Sequence, residues 1–229
     1  DTAKVTVSGS SFTGIVTKTF SIKKAALTAT GSGTANGTYG AKLSELTIEG
    51  LTVKLGEAAV SGVWNLVGDK IPNVGDIGPC EAAFTPATGA DNYNLPLTAQ
   101  VALNIAKAPA PATTPGTLHV QNKTAKTYTY NLEQLLPAPL EGMSLGTVSY
   151  ALGAVNITAA GYYDSTPPAS ISGTPLTLPI QSVDTEALAD IGTVTVTITS
   201  RNFEDMTATV TVKSVNKTAV DISGVALAG

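Results

Sequence analysis

Asn92-Tyr93-Asn94-Leu95-Pro96-Leu97-Thr98-Ala99-Gln100-Val101-Ala102-Leu103-Asn104-Ile105-Ala106-Lys107-Ala108 is the stretch whose reading decides the fold. Val101, Leu103 and Ile105 fall on one side of an extended chain, while Gln100, Ala102 and Asn104 fall on the other. A period of two marks a half-buried β-strand. The design stands upstream as well, where Phe12 leads into Thr17-Lys18-Thr19-Phe20-Ser21-Ile22-Lys23-Lys24-Ala25. Downstream, Asn202-Phe203 leads into Thr207-Ala208-Thr209-Val210-Thr211-Val212-Lys213 and then Lys217. An aromatic, a short polar turn, an alternating strand and a lysine thus recur three times. They read as the closing strands of three successive modules, which makes the chain a slice of a tandem array.

Composition agrees with a β reading. Only 13% of the 229 residues are charged, about half the usual share. Thr, Val, Ala and Gly fill the gap, and β-branched residues suit a pleated surface. An apolar content of 43% supports packed cores and argues against disorder. The formal charge of −4 offers no basic stripe to displace counterions, so nucleic acid is a poor partner. No apolar run approaches the ~20 residues that span a bilayer as a helix. The chain opens inside a strand pattern, without a charged-then-apolar leader, and so reads as an excised or processed piece. Cys80 is the sole cysteine, which rules out an intrachain disulfide. A disulfide-free, Thr-rich chain fits a bacterial surface protein better than a stapled secreted domain.

Taken in order, residues 1–25 read as closing strands of a preceding repeat. Residues 26–108 form the first complete module, with strands expected at Leu51–Leu55, Ala59–Leu66 and Cys80–Phe84. Gly31 to Gly40 reads as a Gly- and Asn-rich stretch with Asn36-Gly37 as its turn signal. Leu43 and Leu46, three apart, allow one helical turn. Residues 109–116, with Pro109, Pro111 and Pro115, read as a semi-rigid spacer. Residues 117–215 form a second module. In it Asn131 caps a helical turn stopped by Pro137, and Thr193–Thr199 is the cleanest strand. Residues 216–229 read as a tail or the start of a further module.

Residues 26–108 carry Thr34-Ala35-Asn36-Gly37-Thr38-Tyr39-Gly40-Ala41-Lys42-Leu43, then Ser61-Gly62-Val63-Trp64, then Phe84-Thr85-Pro86 and Asp91-Asn92-Tyr93. Together these motifs resemble MBG/YDG-type repeats of large bacterial surface proteins. In such repeats a Tyr-Gly follows the first strand, a Gly-x-Trp sits mid-module, and Phe-Thr-Pro precedes an Asn-Tyr. Pro79-Cys80 departs from the pattern, so the thiol is not a family function. The second half resembles the bacterial Ig-like repeats that follow such units in gut Firmicutes surface proteins. Many short strands at roughly 8–12-residue spacing argue for the same fold class. The expectation is an all-β chain of two tandem Ig-like antiparallel β-sandwich modules joined by a Pro-rich linker.

Candidate sites are sparse. His119 is the single histidine, no Gly-x-Ser-x-Gly elbow accompanies it, and it reads as a strand residue. One His and one Cys cannot build a zinc site. Glu81, Asp91, Glu204 and Asp205 could form a glycosidase pair only by facing one cleft at about 5–10 Å. Loops carrying Asp69, Asp76, Asp91, Glu204 and Asp205 offer oxygen to calcium at module junctions, yet no Asp-x-Asp-x-Asp loop with a terminal Glu is present. Trp64, Tyr39 and Tyr93 read as core aromatics, with a sugar-stacking platform as the rival reading. Adjacent Tyr162 and Tyr163, whether on a strand or in a loop, are expected not to face one core together; one is expected to be exposed, so this pair is the first choice for a ligand-contact surface. A Lys–Asn isopeptide bond is conceivable in either module. The Asn-x-Ser/Thr sequons at Asn36, Asn122, Asn156 and Asn216 read as accidents of a Thr-rich chain.

Together these readings point to a non-catalytic stalk segment of a bacterial cell-surface or secreted protein. It is expected to be monomeric, without cofactor or metal, with neighbouring modules of the same polypeptide as partners. The alternative is a module that binds a glycan or a host surface protein.

Overall fold

The computed structural model describes residues 2–10, 12–19, 21–121, 125–138, 141–158, 161–181 and 190–215. The architecture is all-β: among the described residues there is no α-helix, and short 3-10 turns are the only helical pieces. The chain divides into two compact units. One comprises Asp1–Gly37 and Ala41–Ile105, the other Thr38–Gly40 and Ala106–Gly229.

In the first unit β1 (Thr2–Gly9) and β2 (Phe12–Thr19) form an antiparallel hairpin, with Thr2 opposite Thr19 and Gly9 opposite Phe12. Among the described residues this two-stranded sheet pairs with no other strand. Eight further strands follow: β3 (Thr28–Thr30), β4 (Gly33–Thr38), β5 (Thr47–Glu49), β6 (Thr52–Leu55), β7 (Ala58–Ala59), β8 (Gly62–Leu66), β9 (Cys80–Pro86) and β10 (Leu97–Ala106). They build a five-stranded sheet in the order β5-β4-β10-β9-β8 and a three-stranded sheet in the order β3-β6-β7. Val53 of the small sheet and Phe84 of the large one share a buried cluster with Leu27. The alternation read in the opening stretch holds. Val101, Leu103 and Ile105 are buried, and Gln100, Ala102 and Asn104 are exposed.

The quoted Gly-x-Trp and Phe-Thr-Pro motifs meet face to face. Gly62 pairs with Pro86 and Trp64 with Phe84, and the two rings lie 5.2 Å apart. A Cβ on Gly62 would land 2.4 Å from the Phe84 ring, so glycine there leaves the space that this ring occupies, tilted at 51° to the tryptophan.

One local expectation is corrected. Asn36-Gly37 does not turn; it lies within β4. Its glycines serve close packing instead. A Cβ on Gly37 would sit 2.3 Å from Leu46 Cδ2, and one on Gly33 would sit 2.5 Å from Val101 Cγ1. The chain bends just before, at Gly31, whose φ of +102° suits glycine and whose added Cβ would sit 2.1 Å from the Gly50 carbonyl oxygen. That bend carries the opening segment from the three-stranded sheet at β3 to the five-stranded sheet at β4.

Both expected helical turns form, as 3-10 turns. Leu43–Glu45 buries Leu43, and the Lys42 backbone N–H donates to Glu45 Oε2 at 2.9 Å. Leu132–Leu135 is capped by Asn131, whose Oδ1 accepts from the Glu133 N–H at 3.1 Å.

The second unit contains β11 (Gly116–Gln121), β12 (Lys126–Asn131), β13 (Val148–Ile157), β14 (Ser170–Ile171), β15 (Pro175–Ile180), β16 (Asp190–Ser200) and β17 (Met206–Val215). They pair as β11-β17-β16-β13 and β12-β15-β14. With seven strands taken in chain order, the third, sixth and seventh share one sheet and the second, fourth and fifth the other. This is the immunoglobulin arrangement, with the first strand laid beside the last. Leu176, Leu178 and Ile180 of β15 meet Val194, Val196 and Ile198 of β16 and Val210 and Val212 of β17 in one buried core. Each such side chain contributes about 1.5–3 kcal/mol on leaving water.

Residues 109–115 of the Pro-rich segment form no strand, since proline has no N–H to give a ladder, but they are anchored to the second unit. Thr113 Oγ1 donates to the Thr207 carbonyl at 3.1 Å, and the Thr114 N–H donates to the Leu135 carbonyl at 2.9 Å.

Candidate functional site

The feature that both units share is the way the chain comes in. In the first unit Ala25 forms a parallel bridge with Tyr93. Its N–H donates to the Asn92 carbonyl at 2.8 Å, and its carbonyl accepts the Asn94 N–H at 2.9 Å. In the second unit Ala108 does the same with Phe203. Its N–H donates to the Asn202 carbonyl at 3.0 Å, and its carbonyl accepts the Glu204 N–H at 2.9 Å. Each opening segment therefore clips onto an Asn-aromatic turn that leads into the closing strand of its own unit.

The clip begins a longer parallel contact. In the first unit the Asn104 side chain donates to Asn36 Oδ1 at 2.8 Å across 68 positions, the same offset as Ala25 to Tyr93. In the second unit β11 pairs with β17 in parallel from Gly116 opposite Val210 to Gln121 opposite Val215. In the second unit the first and last strands thus lie side by side and point the same way.

The two turns are supported differently. Asn92 ends a 3-10 turn after Gly89, and Tyr93 packs half-buried against the cluster of Leu27, Val53 and Phe84. Around Phe203 the support is a buried polar knot. Ser200 Oγ accepts the N–H groups of Asn202 and Phe203 and donates to the Leu145 carbonyl at 2.8 Å. Asn202, fully buried, donates through Nδ2 to the Ser144 carbonyl at 3.0 Å. Tyr39, which is counted with the second unit, sets its ring edge-on against Phe203 at 5.3 Å. Its hydroxyl accepts the Ser144 N–H at 2.7 Å.

The residues singled out from sequence are not drawn into one chemical centre. His119 is exposed on β11 opposite Lys213. Glu81 is exposed on β9, Asp91 and Glu204 are exposed in turns, and Asp69 is exposed in the loop after β8. Asp76 Oδ2 accepts the Asn73 N–H at 2.9 Å, closing its own loop. Asp205 pairs with Lys107 at 3.8 Å, and Lys213 pairs with Asp190 at 3.2 Å. These are ion pairs between partly exposed groups, each worth ~0–1 kcal/mol. Among the described residues no group of three or more His, Cys, Asp or Glu is placed to hold a metal. Asn36 and Asn156 lie on strands; Asn122 and Asn216 fall outside the described residues.

The aromatics are structural in their placement. Trp64 and Tyr93 both pack on the first unit's buried cluster, whereas Tyr39 packs on Phe203 in the second. Tyr162 is buried and Tyr163 half-buried, and both rest on the second unit's core. The premise that neighbours must point apart applies to a strand; residues 161–169 run irregularly, so both rings turn inward. The Tyr163 hydroxyl accepts the Ala169 N–H at 3.0 Å, while the buried Tyr162 hydroxyl has no hydrogen-bond partner among the described residues. Burial raises the Tyr130 phenol above its ordinary value. Tyr150 is raised by burial and then by the nearby Glu133 carboxylate.

Two open clefts mark the first unit. One of about 340 Å³ is walled by Leu43, Lys70, Pro72, Ile77, Cys80 and Leu103. The other, about 460 Å³, lies along the clip, between Ile22, Lys24 and Leu55 on one side and Asp91 and Tyr93 on the other. The sequence shows a lysine and an alanine that hand the chain on. Where the alanine lands is not written there, although Ile22-Lys23-Lys24-Ala25 and Ile105-Ala106-Lys107-Ala108 share identical spacing.

No family model and no curated protein matches the sequence. Among solved structures the chain is similar to a three-domain Ig fragment of titin in a Glu-to-Ala variant, with 10% identity and a TM-score of 0.31. It is similar to an I-band fragment of titin as well, at 10% identity and a TM-score of 0.29. Each match covers 83% of this chain and 66% of the titin fragment. Likeness at this level carries no weight here; the fold assignment rests on the strand orders described above.

Proposed function

We propose that this chain is a non-catalytic structural segment of a tandem β-sandwich array, a stalk that holds other domains away from a bacterial cell. The observation that carries the reading is the repeated clip, Ala25 on Asn92–Asn94 and Ala108 on Asn202–Glu204. Two units that take in their chain through the same backbone bonds are successive copies of one plan. Ile22 adds to this. It occupies the same place in its tetrapeptide as Ile105, yet it is 69% exposed where Ile105 is 7% exposed. A residue that closes a core in one copy stands bare in the other, next to a hairpin with no partner sheet among the described residues. A two-stranded hairpin is marginal alone, which supports reading residues 1–25 as closing strands of a preceding repeat.

The parallel pairing of first and last strands supplies the mechanics. Tension drawn through the second unit pulls β11 backward and β17 forward along their common ladder. The register pairs from Gly116–Val210 to Gln121–Val215 are then loaded together, in shear, and do not open one at a time. Monomeric action, with neighbouring modules as the partners, follows from this plan. The bacterial surface setting rests on the resemblance of residues 26–108 to MBG/YDG-type repeats.

The second reading is a binding module for a glycan or host surface protein. It draws on Val63, Val67 and Ile77, which are 60%, 74% and 75% exposed in the first unit, and on the half-buried Tyr163. A glycan and extracellular-matrix array probed with the intact chain separates the two. The structural reading expects no saturable binding, and saturable binding to one class of ligand would replace it.

A further inference from the structure

Ser144 is pinned inside the second unit. Its carbonyl accepts from Asn202 Nδ2 at 3.0 Å, and its Oγ accepts the Gly146 N–H at 3.1 Å. Its own N–H is satisfied from far off in the chain, by the Tyr39 hydroxyl 105 positions upstream at 2.7 Å. The Tyr39 ring stands edge-on to Phe203 at 5.3 Å, and both residues are buried. The Tyr39 N–H donates to the Ala106 carbonyl at 2.9 Å.

Thr38–Gly40 is thus a three-residue excursion. Gly37 before it and Ala41 after it are counted with the first unit, while these three residues, like Ala106, Ser144 and Phe203, are counted with the second. Gly40 suits the end of the excursion. Its φ is +104°, and an added Cβ would sit 3.1 Å from Met143 Sδ.

The surface that receives Tyr39 reads chemistry as well as shape. It offers a ring edge to pack against and a backbone donor at the far end. A phenol matches both, with a planar body and an acceptor at its tip. Phe has no acceptor, and the Trp N–H is only a donor. Because the carbonyl and hydroxyl of Ser144 are already engaged, its N–H is held in place for the incoming oxygen.

We propose that Ser144, Phe203 and the Ala106 carbonyl form a docking site for a Tyr-Gly segment. Thr38–Gly40 is its occupant, and the second unit needs that occupant to reach full stability. The inference stands on contacts counted within the second unit and holds whether or not the chain serves as a stalk.

The test uses the intact 229-residue chain. Hydrogen exchange is read at the Ser144 amide, and urea unfolding of the second unit is followed at the Val196 amide in β16. Tyr39→Phe keeps the ring and removes the acceptor, so Ser144 exchange is expected to rise about tenfold or more. Tyr39→Ala is expected to lower the second unit's urea midpoint further than Tyr39→Phe does. Combined with Phe203→Leu it should cost less than the sum of the two single changes, since both remove the same ring pair. Tyr93→Phe, at the first unit's clip, is the control and should leave Ser144 exchange within about threefold of the parent. Parent-like Ser144 exchange in Tyr39→Phe, or an unchanged second-unit midpoint in Tyr39→Ala, overturns the proposal. If Tyr39→Ala does not fold, the exchange result for Tyr39→Phe decides alone. Saturable ligand binding on the array would replace the structural reading and leave these rates unaltered, so the two failures are distinguishable.

Discussion

Ala108 and Phe203 face each other across a parallel bridge at the point where the second unit receives the chain. The bridge uses the alanine's only donor and its acceptor, so the peptide is fixed in position and direction before the prolines begin. The Ala25–Tyr93 pair stands in the same relation 68 residues apart.

Ala108→Pro removes the N–H that donates to the Asn202 carbonyl. Asn202 is buried, so this hydrogen bond is lost away from water. The second unit is expected to lose about 1–3 kcal/mol, seen as a lower urea midpoint, with the first unit's transition unchanged.

The polar knot beneath Phe203 makes a sharper demand. Ser200→Ala removes the acceptor of two backbone N–H groups and the donor to Leu145. A cost of about 1–3 kcal/mol to the second unit is expected. His119→Ala, on the exposed face of β11, should change stability by no more than ~0.5 kcal/mol. Equal effects from the two substitutions would contradict the assignment of burial.

Gly31→Ala tests the bend between sheets. A positive φ and a carbonyl oxygen 2.1 Å from the new Cβ act together, and a loss of roughly 2–4 kcal/mol is expected for the first unit. Gly56→Ala is the control: its φ is also positive, but its Cβ would meet nothing within 4 Å, so it should cost clearly less.

Stability should fall in alkali for a specific reason. The phenols of Tyr130 and Tyr150 are held above the ordinary value of 10.0 in the folded chain, so the folded state keeps their protons longer than the unfolded state does. Their contribution is complete below about pH 10 and is lost as pH rises through the higher folded values. Tyr130→Phe with Tyr150→Phe should flatten the stability profile above that point; an unchanged slope would assign it to other groups.

How much of this was legible beforehand varies with the physics involved. The alternation in Val101–Ile105 and Thr193–Thr199 was readable, because a half-buried strand writes its period into the chain. The turns at Leu43–Glu45 and Leu132–Leu135 were readable from leucine spacing and a capping residue. Asn36-Gly37 misled, because glycine marks both turns and tight packing, and only the neighbours Leu46 and Val101 show which applies. Tyr162 and Tyr163 misled for a related reason: the rule of opposed faces holds on strands, and these rings sit in an irregular loop. The clip itself lay half hidden. Its lysine and alanine were visible as a repeat, but a backbone bridge leaves no side-chain pattern at the receiving turn beyond an asparagine and an aromatic.

The most direct test of the central claim, that first and last strands bear load side by side, is single-molecule extension of the chain by its two ends. The account predicts a discrete unfolding event for the second unit, releasing roughly 350 Å as its roughly 100 residues extend. It further predicts that a Thr117→Cys/Thr211→Cys disulfide across the β11–β17 register, built in a Cys80→Ser background, forms within the chain and shortens that release by nearly its whole length. Gradual lengthening at low force without a discrete step, or failure of those two cysteines to bond within one chain, would contradict it.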